Sequence, residues 1–248
     1  MSGLTDTVIL CGGAGLRLKS ITGDTPKPMA SIAGRPFLEL LLLQLKRHGF
    51  SRVVLSVGYK HHLIREHFGE KGFGMDLVYS IEAAPLGTGG ALAQVADEIT
   101  TDCALVMNGD SYAAVDLSRL VQTHRESGAS ATVVVIAETR SDAGSVLVAE
   151  DGRVRAFAEK SDVLKTRYQS TGIYMFNKTL CSEIPRSGNI SLEEQLFPQW
   201  LAQGKRVQAF VFSGDCVDIG TPERYLEAQD LLANVESEAN VLRGESQL

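Results

Sequence analysis

Thr7-Val8-Ile9-Leu10-Cys11-Gly12-Gly13-Ala14-Gly15-Leu16-Arg17 opens this chain with an apolar run that empties into a glycine-rich turn. Thr7–Leu10 predicts a short buried strand. Glycines just past a strand let the backbone approach a polyphosphate closely and aim bare N–H groups at it. Next comes Pro26-Lys27-Pro28-Met29. Prolines there disfavour helix and predict a stiff, extended segment that fixes the direction of Lys27. Arg17 and Lys27 can both neutralise phosphate charge. Together these features suggest a nucleoside triphosphate. Glycines alone serve packing as readily, but spacing narrows the choice. Gly13 and Gly15 have Leu18 where GxGxxG needs glycine, and GxxxxGK is absent, which argues against dinucleotide and P-loop sites.

Working outward, strands and helices alternate through the first half. Phe37–His48 reads as a helix ended by Gly49, and Arg52–Val57 as a buried parallel strand. His61–His67 is a short helix closed at Gly69, Asp76–Ile81 a strand, and Thr88–Ile99 has helical spacing. Cys103–Met107 is a buried strand, Asp116–Ser127 a helix capped by Asp116, and Ala131–Ile136 a strand. After about residue 140 the rhythm breaks. Ser145–Val148 and Val154–Glu159 flank a hairpin signal at Glu150-Asp151-Gly152. Gly172–Phe176 and Arg206–Phe212 read as strands, with Ser191–Gln203 between them as a helix that Pro198 can kink. Thr221-Pro222 opens a helix through Leu232. The expected fold is α/β: a Rossmann-like, open, mixed but mostly parallel sheet flanked by helices, with small antiparallel additions in the second half. Residues 1–233 are expected to form one domain, and 234–248 a polar tail that frays. In such sheets ligands sit beyond the carboxyl ends of the strands, where the glycine turn lies.

Bulk composition excludes several alternatives. The 248 residues suffice for a full core, and a formal charge of −6 with no basic cluster argues against nucleic acid as a partner. Cys11, Cys103, Cys181 and Cys216 are scattered without a CxxC pair and read as reduced thiols. No run nears the ~18 apolar residues of a membrane helix, so a soluble cytoplasmic protein is expected, with no membrane partner. The five histidines show no metal spacing. A homo-oligomer is compatible with all of this.

GGAGLR followed by TPKPM resembles the sugar-phosphate nucleotidylyltransferases, whose usual form is GGxGTRLxPLT…PKPM. The likeness extends to about Leu232 and covers nearly the whole chain. It departs at Leu16, where threonine is usual, and at Lys19-Ser20-Ile21-Thr22 in place of xPLT. The resemblance implies a nucleotide site built from Leu10, Gly12, Gly13, Ala14, Gly15, Arg17, Lys27, Glu82, Pro85, Gly87, Thr88 and Asn108. It makes Arg17, Lys27 and Asp110 catalytic, with Asp110 in Asn108-Gly109-Asp110 and Asp218 in Asp218-Ile219-Gly220-Thr221-Pro222 as ligands of Mg²⁺. Unaided, an Asp after a strand reads as a turn or cap residue; Thr221 is better placed to cap, which frees Asp218. The resemblance further implies sugar-phosphate contacts from Gly109, Gly144, Glu159, Lys160, Thr171 and Gly172. Ser161 and Ser170 depart from the family's proline and asparagine there.

The reaction so implied is attack by a sugar-1-phosphate oxygen on the α-phosphorus of a nucleoside triphosphate, with pyrophosphate leaving. The loop Tyr79–Ala91 resembles the family's base reader, in which pyrimidine-specific members commonly carry Gln at the position of Glu82. An ionised carboxylate only accepts hydrogen bonds, and guanine offers it two adjacent donors, which points to GTP. Among subfamilies, LKSITGDTPKPMASIAGRPFLELLL is most similar to the D-glycero-α-D-manno-heptose-1-phosphate guanylyltransferases, which implies GDP-heptose as product. Mannose-1-phosphate guanylyltransferases and N-acetylmuramate-1-phosphate uridylyltransferases are the alternatives in the class. A non-catalytic nucleotide-sugar-binding regulator is the alternative outside it, against which the intact Arg17, Lys27, Asp110 and Asp218 speak.

Overall fold

The computed structural model describes residues 5–13, 15–137, 145–158 and 168–243. Ala14, Gly144, Glu159 and Lys160 lie outside the described residues, as do the side chains of Leu16 and of residues 233–243, and the last five residues.

Fourteen strands are described: β1 (Asp6–Cys11), β2 (Ser31–Ile32), β3 (Arg35–Pro36), β4 (Arg52–Val57), β5 (Lys71–Gly72), β6 (Met75–Ile81), β7 (Cys103–Asn108), β8 (Ser111–Ala113), β9 (Ala131–Ile136), β10 (Ser145–Val148), β11 (Val154–Ala158), β12 (Tyr168–Asn177), β13 (Val207–Phe212) and β14 (Cys216–Asp218). The helices are α1 (Lys19–Thr22), α2 (Phe37–Arg47), α3 (His61–Phe68), α4 (Gly87–Gln94), α5 (Leu117–Ser127), α6 (Lys178–Ser182), α7 (Phe197–Ala202) and α8 (Pro222–Arg243). The main sheet runs β11-β10-β12-β7-β1-β4-β6-β5, with β9 joined to β12 and β13 to β9. β7, β1, β4 and β6 are mutually parallel. β12 closes that block antiparallel to β7, and β10 and β11 form the expected hairpin.

Apolar runs without a polar face fill both sides of the parallel block. Ile9, Leu55, Leu105 and Met107 pack with α2, α5 and α8, while Val8, Val54, Ala104 and Val106 pack with α4, α6 and α7. β1 is flanked by β4 on one side and β7 on the other, so the chain reverses its direction of build at that strand. The crevice outside the carboxyl ends of β1 and β7 is the topological switch point where such folds bind ligands.

Four local readings need correction. Pro26 is extended (φ −63°, ψ 143°), but Lys27–Met29 turn into a 3₁₀ helix with Met29 N–H donating to Pro26 O at 2.8 Å. Pro28 sits in its first turn, where no N–H is required, so proline favours the turn it was expected to prevent. The helix expected over Thr88–Ile99 ends at Gln94 and resumes as a 3₁₀ turn, Ala96–Glu98. The segment 191–203 starts as a π-turn (Leu192–Leu196) before α7, so the break precedes Pro198, whose ring cannot donate backward. The last helix continues eleven residues beyond Leu232, to Arg243.

Candidate active site

Charge concentrates at the switch point. The turn after β1 lies against the Glu82 carboxylate, into which a Cβ on Gly12 would run. Gly58, at the end of β4, packs on Gly12 in the same way: a Cβ there would fall 2.7 Å from Gly12 O. Glu82 is held in place by Ser56 Oγ, which donates to Oε1 at 3.0 Å, and by Leu86 N–H, which donates to Oε2 at 3.4 Å. A carboxylate has about four lone-pair sites, so acceptor capacity remains after these two bonds. Gly15 adopts φ +60°, and its Cα faces the stem of Lys27. Glycine takes that left-handed conformation without strain. Cys11 is buried between these groups: burial raises its thiol pKa, and the charges of Asp110 and Glu82 raise it further. It is therefore held as a neutral packing group.

Lys27 donates to Asp110 Oδ2 from a side chain only 11% exposed, and Ser111 Oγ donates to Oδ1 at 3.0 Å. Beside this pair, the short strands β8 and β14 run antiparallel with Asp218 opposite Ser111. Ile219 N–H donating to Asp110 O at 2.9 Å closes the ladder. Two carboxylates far apart in sequence thus become neighbours. Asp218 accepts from Arg224 Nη1 at 2.9 and 2.7 Å and from Gly220 N–H at 2.8 Å. Arg17 is exposed and reaches the same loop, its Nη2 3.8 Å from where a Cβ on Gly220 would sit. Three cations and two carboxylates therefore share one mouth.

A second cluster adjoins it. β12 slips register against β9 between Ser170 and Tyr174, and Gly172 there takes φ +75° with its Cα against Asn108 Nδ2. The Asn108 Oδ1 is buried with no partner among the described residues. Such an orphan acceptor is costly unless a ligand donor meets it. Gly109 fits only as glycine, since a Cβ would press on Cys11 Sγ and Leu10 O, and its N–H donates to Leu10 O at 2.9 Å.

Other expected positions are engaged elsewhere. Thr171 is buried and its hydroxyl donates to Val134 O at 3.1 Å, so only its backbone faces the bulge. Thr88 Oγ1 accepts from Leu192 N–H at 2.8 Å. Gly87, at φ +70°, lies against Ile190 O, so crowding by the 189–192 segment demands glycine there. Pro85 is exposed at the rim. A separate groove of about 940 Å³, lined by Gln44, His48, Tyr112 and Asp215 among others, carries none of the expected residues.

Among the described residues no three His, Cys, Asp or Glu side chains converge as a self-contained metal cage. Mg²⁺ does not need one, because it is commonly held by one or two carboxylates plus substrate phosphates. The hard carboxylate oxygens of Asp110 and Asp218, on backbone segments that the β8–β14 pairing brings together, suit that requirement. Sequence reading missed Ser56, Gly58, Ser111 and Arg224. None of the four left a local signal, because each is defined by a contact.

Residues 6–235 match the model of the nucleotidyl transferase family. The D-glycero-alpha-D-manno-heptose 1-phosphate guanylyltransferase of Aneurinibacillus thermoaerophilus is 34% identical over 90% of this chain and 96% of its own. The mannose-1-phosphate guanylyltransferase of Mycobacterium tuberculosis is 35% identical over 96% of this chain and 67% of its own. The crystal structure of HddC from Yersinia pseudotuberculosis complexed with GMP-PN superposes with a TM-score of 0.78 at 30% identity, over 92% of this chain and 99% of HddC. A glycine turn facing a lysine–aspartate pair at a switch point thus stands in a chain that matches these relatives over most of its length: the chain belongs to the nucleotidyl transferase family.

Proposed function

We propose that this protein transfers GMP from GTP to a sugar 1-phosphate, D-glycero-α-D-manno-heptose 1-phosphate being the favoured acceptor, to give GDP-heptose and pyrophosphate. The observation that carries the transfer chemistry is the Lys27–Asp110 pair beside Asp218 and Arg17 at the mouth of the glycine turn. The heptose assignment rests on the two heptose 1-phosphate guanylyltransferases, 34% and 37% identical to the chain across 96% of their own lengths. Residues 1–233 form the working domain in this reading, in a reducing cytoplasmic setting. The four cysteines are free, and among the described residues no helix is long and apolar enough to cross a membrane.

In the transfer, an oxygen of the sugar 1-phosphate forms a bond to the α-phosphorus while the bond from that phosphorus to the α–β bridging oxygen breaks. Pyrophosphate leaves with the electron pair, and no covalent enzyme intermediate is needed. Positioning and charge neutralisation dominate such a step. Backbone N–H groups of Gly12, Gly13 and Gly15 cradle the triphosphate. Arg17 holds the departing phosphates, and Lys27, held by Asp110, meets the charge that develops at the α-phosphoryl group. Asp110 and Asp218 would hold Mg²⁺, which when bound neutralises phosphate charge. Glu82 accepts from N1–H and N2–H₂ of guanine with the lone pairs that Ser56 and Leu86 leave open. The Gly172 bulge serves the sugar side, Asn108 against it meets a donor of the nucleotide with Oδ1, and Glu159 and Lys160 would contact the sugar phosphate.

Pyrophosphate release from four nucleoside triphosphates crossed with several sugar 1-phosphates tests this directly. GTP with the heptose 1-phosphate is expected to give the highest kcat/KM. Glu82→Gln should erode the preference for GTP over UTP by about tenfold, the worth of one discriminating hydrogen bond. Activity confined to another pair of substrates would move the assignment, and silence with every pair would favour a nucleotide-sugar-binding regulator.

A further inference from the structure

The two carboxylates of the mouth are not held alike. Asp110 is paired with Lys27, on the turn that faces the triphosphate cradle. Asp218 is gripped from α8: Arg224 Nη1 bonds both of its oxygens, and Gly220 N–H takes a third lone pair. The pair is largely sheltered, with side-chain exposures of 31% for Asp218 and 15% for Arg224. A guanidinium cannot lose its charge to release a partner. A divalent cation approaching Asp218 must therefore displace Arg224 or sit beside its positive charge. Displacement need not move the backbone, because Arg224 N–H is fixed at the start of α8, donating to Thr221 Oγ1 at 3.4 Å. Triphosphate oxygens accept the same fork that the Asp218 carboxylate does. Arg17, reaching the same loop, adds to the positive potential that disfavours a lone cation.

We infer that Arg224 is a positioning residue that competes with the divalent cation for Asp218. It keeps the carboxylate oriented and neutralised in the substrate-free enzyme, and gives it up only when nucleotide phosphates arrive to take the guanidinium. The cation is thereby loaded together with the triphosphate rather than ahead of it. This inference rests on the reading of Asp218 as a metal ligand.

Mn²⁺ binding to the substrate-free, full-length protein, followed by the loss of the free-ion electron paramagnetic resonance signal, tests it without turnover. Arg224→Gln and Arg224→Met should each bind Mn²⁺ about tenfold or more tightly than wild type, because a full positive charge a few ångströms away is removed. Arg224→Lys should stay near wild type, and Asp218→Asn should weaken binding. Met keeps the apolar stem, and a thermal melt on each variant shows that it is folded. If Asp218→Asn weakens Mn²⁺ binding while both neutral variants at 224 bind no tighter than wild type, Arg224 is not a competitor and the inference fails although the metal reading stands. If Asp218→Asn binds Mn²⁺ like wild type, both fall together.

Discussion

The two ends of β1 use the same chemistry to opposite effect. At its amino end Asp6 is 4% exposed and accepts from Arg52 Nη1 at 3.0 Å, from Thr100 N–H at 2.5 Å and Oγ1 at 2.8 Å, and from Thr101 N–H at 3.2 Å. Burial pulls its pKa upward, but the hydrogen bonds from Thr100 and the nearby Arg52 outweigh it, and the net shift is downward. These donors come from two segments, the start of β4 and residues 100–101, and two of them are backbone N–H groups on one buried carboxylate. The carboxyl end is built differently. Asp110 and Asp218 are each paired with one side-chain cation, at the mouth of a glycine turn, beside an acceptor with no partner among the described residues. A buried carboxylate held by converging backbone and side-chain donors is a fastener, whereas a partly exposed one paired with a side-chain cation can be reassigned to a ligand.

The contrast predicts separable losses. The largest falls on turnover: Lys27→Ala or Asp110→Asn should lower pyrophosphate release by about 1,000-fold or more while the thermal midpoint stays near wild type. Next, Asp6→Ala should cost about 3 kcal/mol of stability, read by urea unfolding, with turnover per folded molecule unchanged. Because the native pKa of Asp6 lies below its ordinary value of 3.8, its contribution is complete above that value. It is lost as pH falls through the lower native pKa, so the Asp6→Ala variant should show a flatter acid limb.

A smaller effect belongs to the bulge. Gly172 sits at φ +75° and is pressed on Asn108, so alanine there is strained. Gly172→Ala should raise the KM for the sugar phosphate about tenfold with GTP binding nearly unchanged. The smallest concerns α5, where His124 is buried between Thr132 Oγ1 of β9 at 2.8 Å and Asn177 Oδ1 of β12 at 3.0 Å. Burial lowers its pKa below 6.5, aided by the charge of Arg125 and partly opposed by the bond to Asn177. The unfolded chain then takes up a proton first, so stability should slip as pH falls below about 6.5. His124→Gln should remove much of that slope.

The same contrast explains what the sequence disclosed. β1, β4, β7 and β9 were legible because six-residue strands that are mostly apolar and buried on both faces leave a strong pattern. Asp116 was legible as a cap and accepts from Arg119 N–H at 3.0 Å. The pairing that brings Asp218 to Asp110 was hidden, because β8 and β14 are three residues each and carry no period. The β2–β3 hairpin was equally silent. It turns through Ala33 at φ 48° and Gly34 at φ 83°. Alanine is not a usual choice for a left-handed turn position. What held it was a distant partner, Gln229 of α8, whose Oε1 accepts from Ala33 N–H at 2.8 Å. Arg224 and Ser56 were missed for the same reason: each is defined by a contact rather than by a local pattern.

The most direct test measures activity and stability on the same preparations of wild type, Lys27→Ala and Asp6→Ala, with GTP and the heptose 1-phosphate as substrates. The account predicts that Lys27→Ala melts like wild type and releases almost no pyrophosphate, while Asp6→Ala unfolds at lower urea yet turns over normally below its transition. Near-normal pyrophosphate release by folded Lys27→Ala would contradict it.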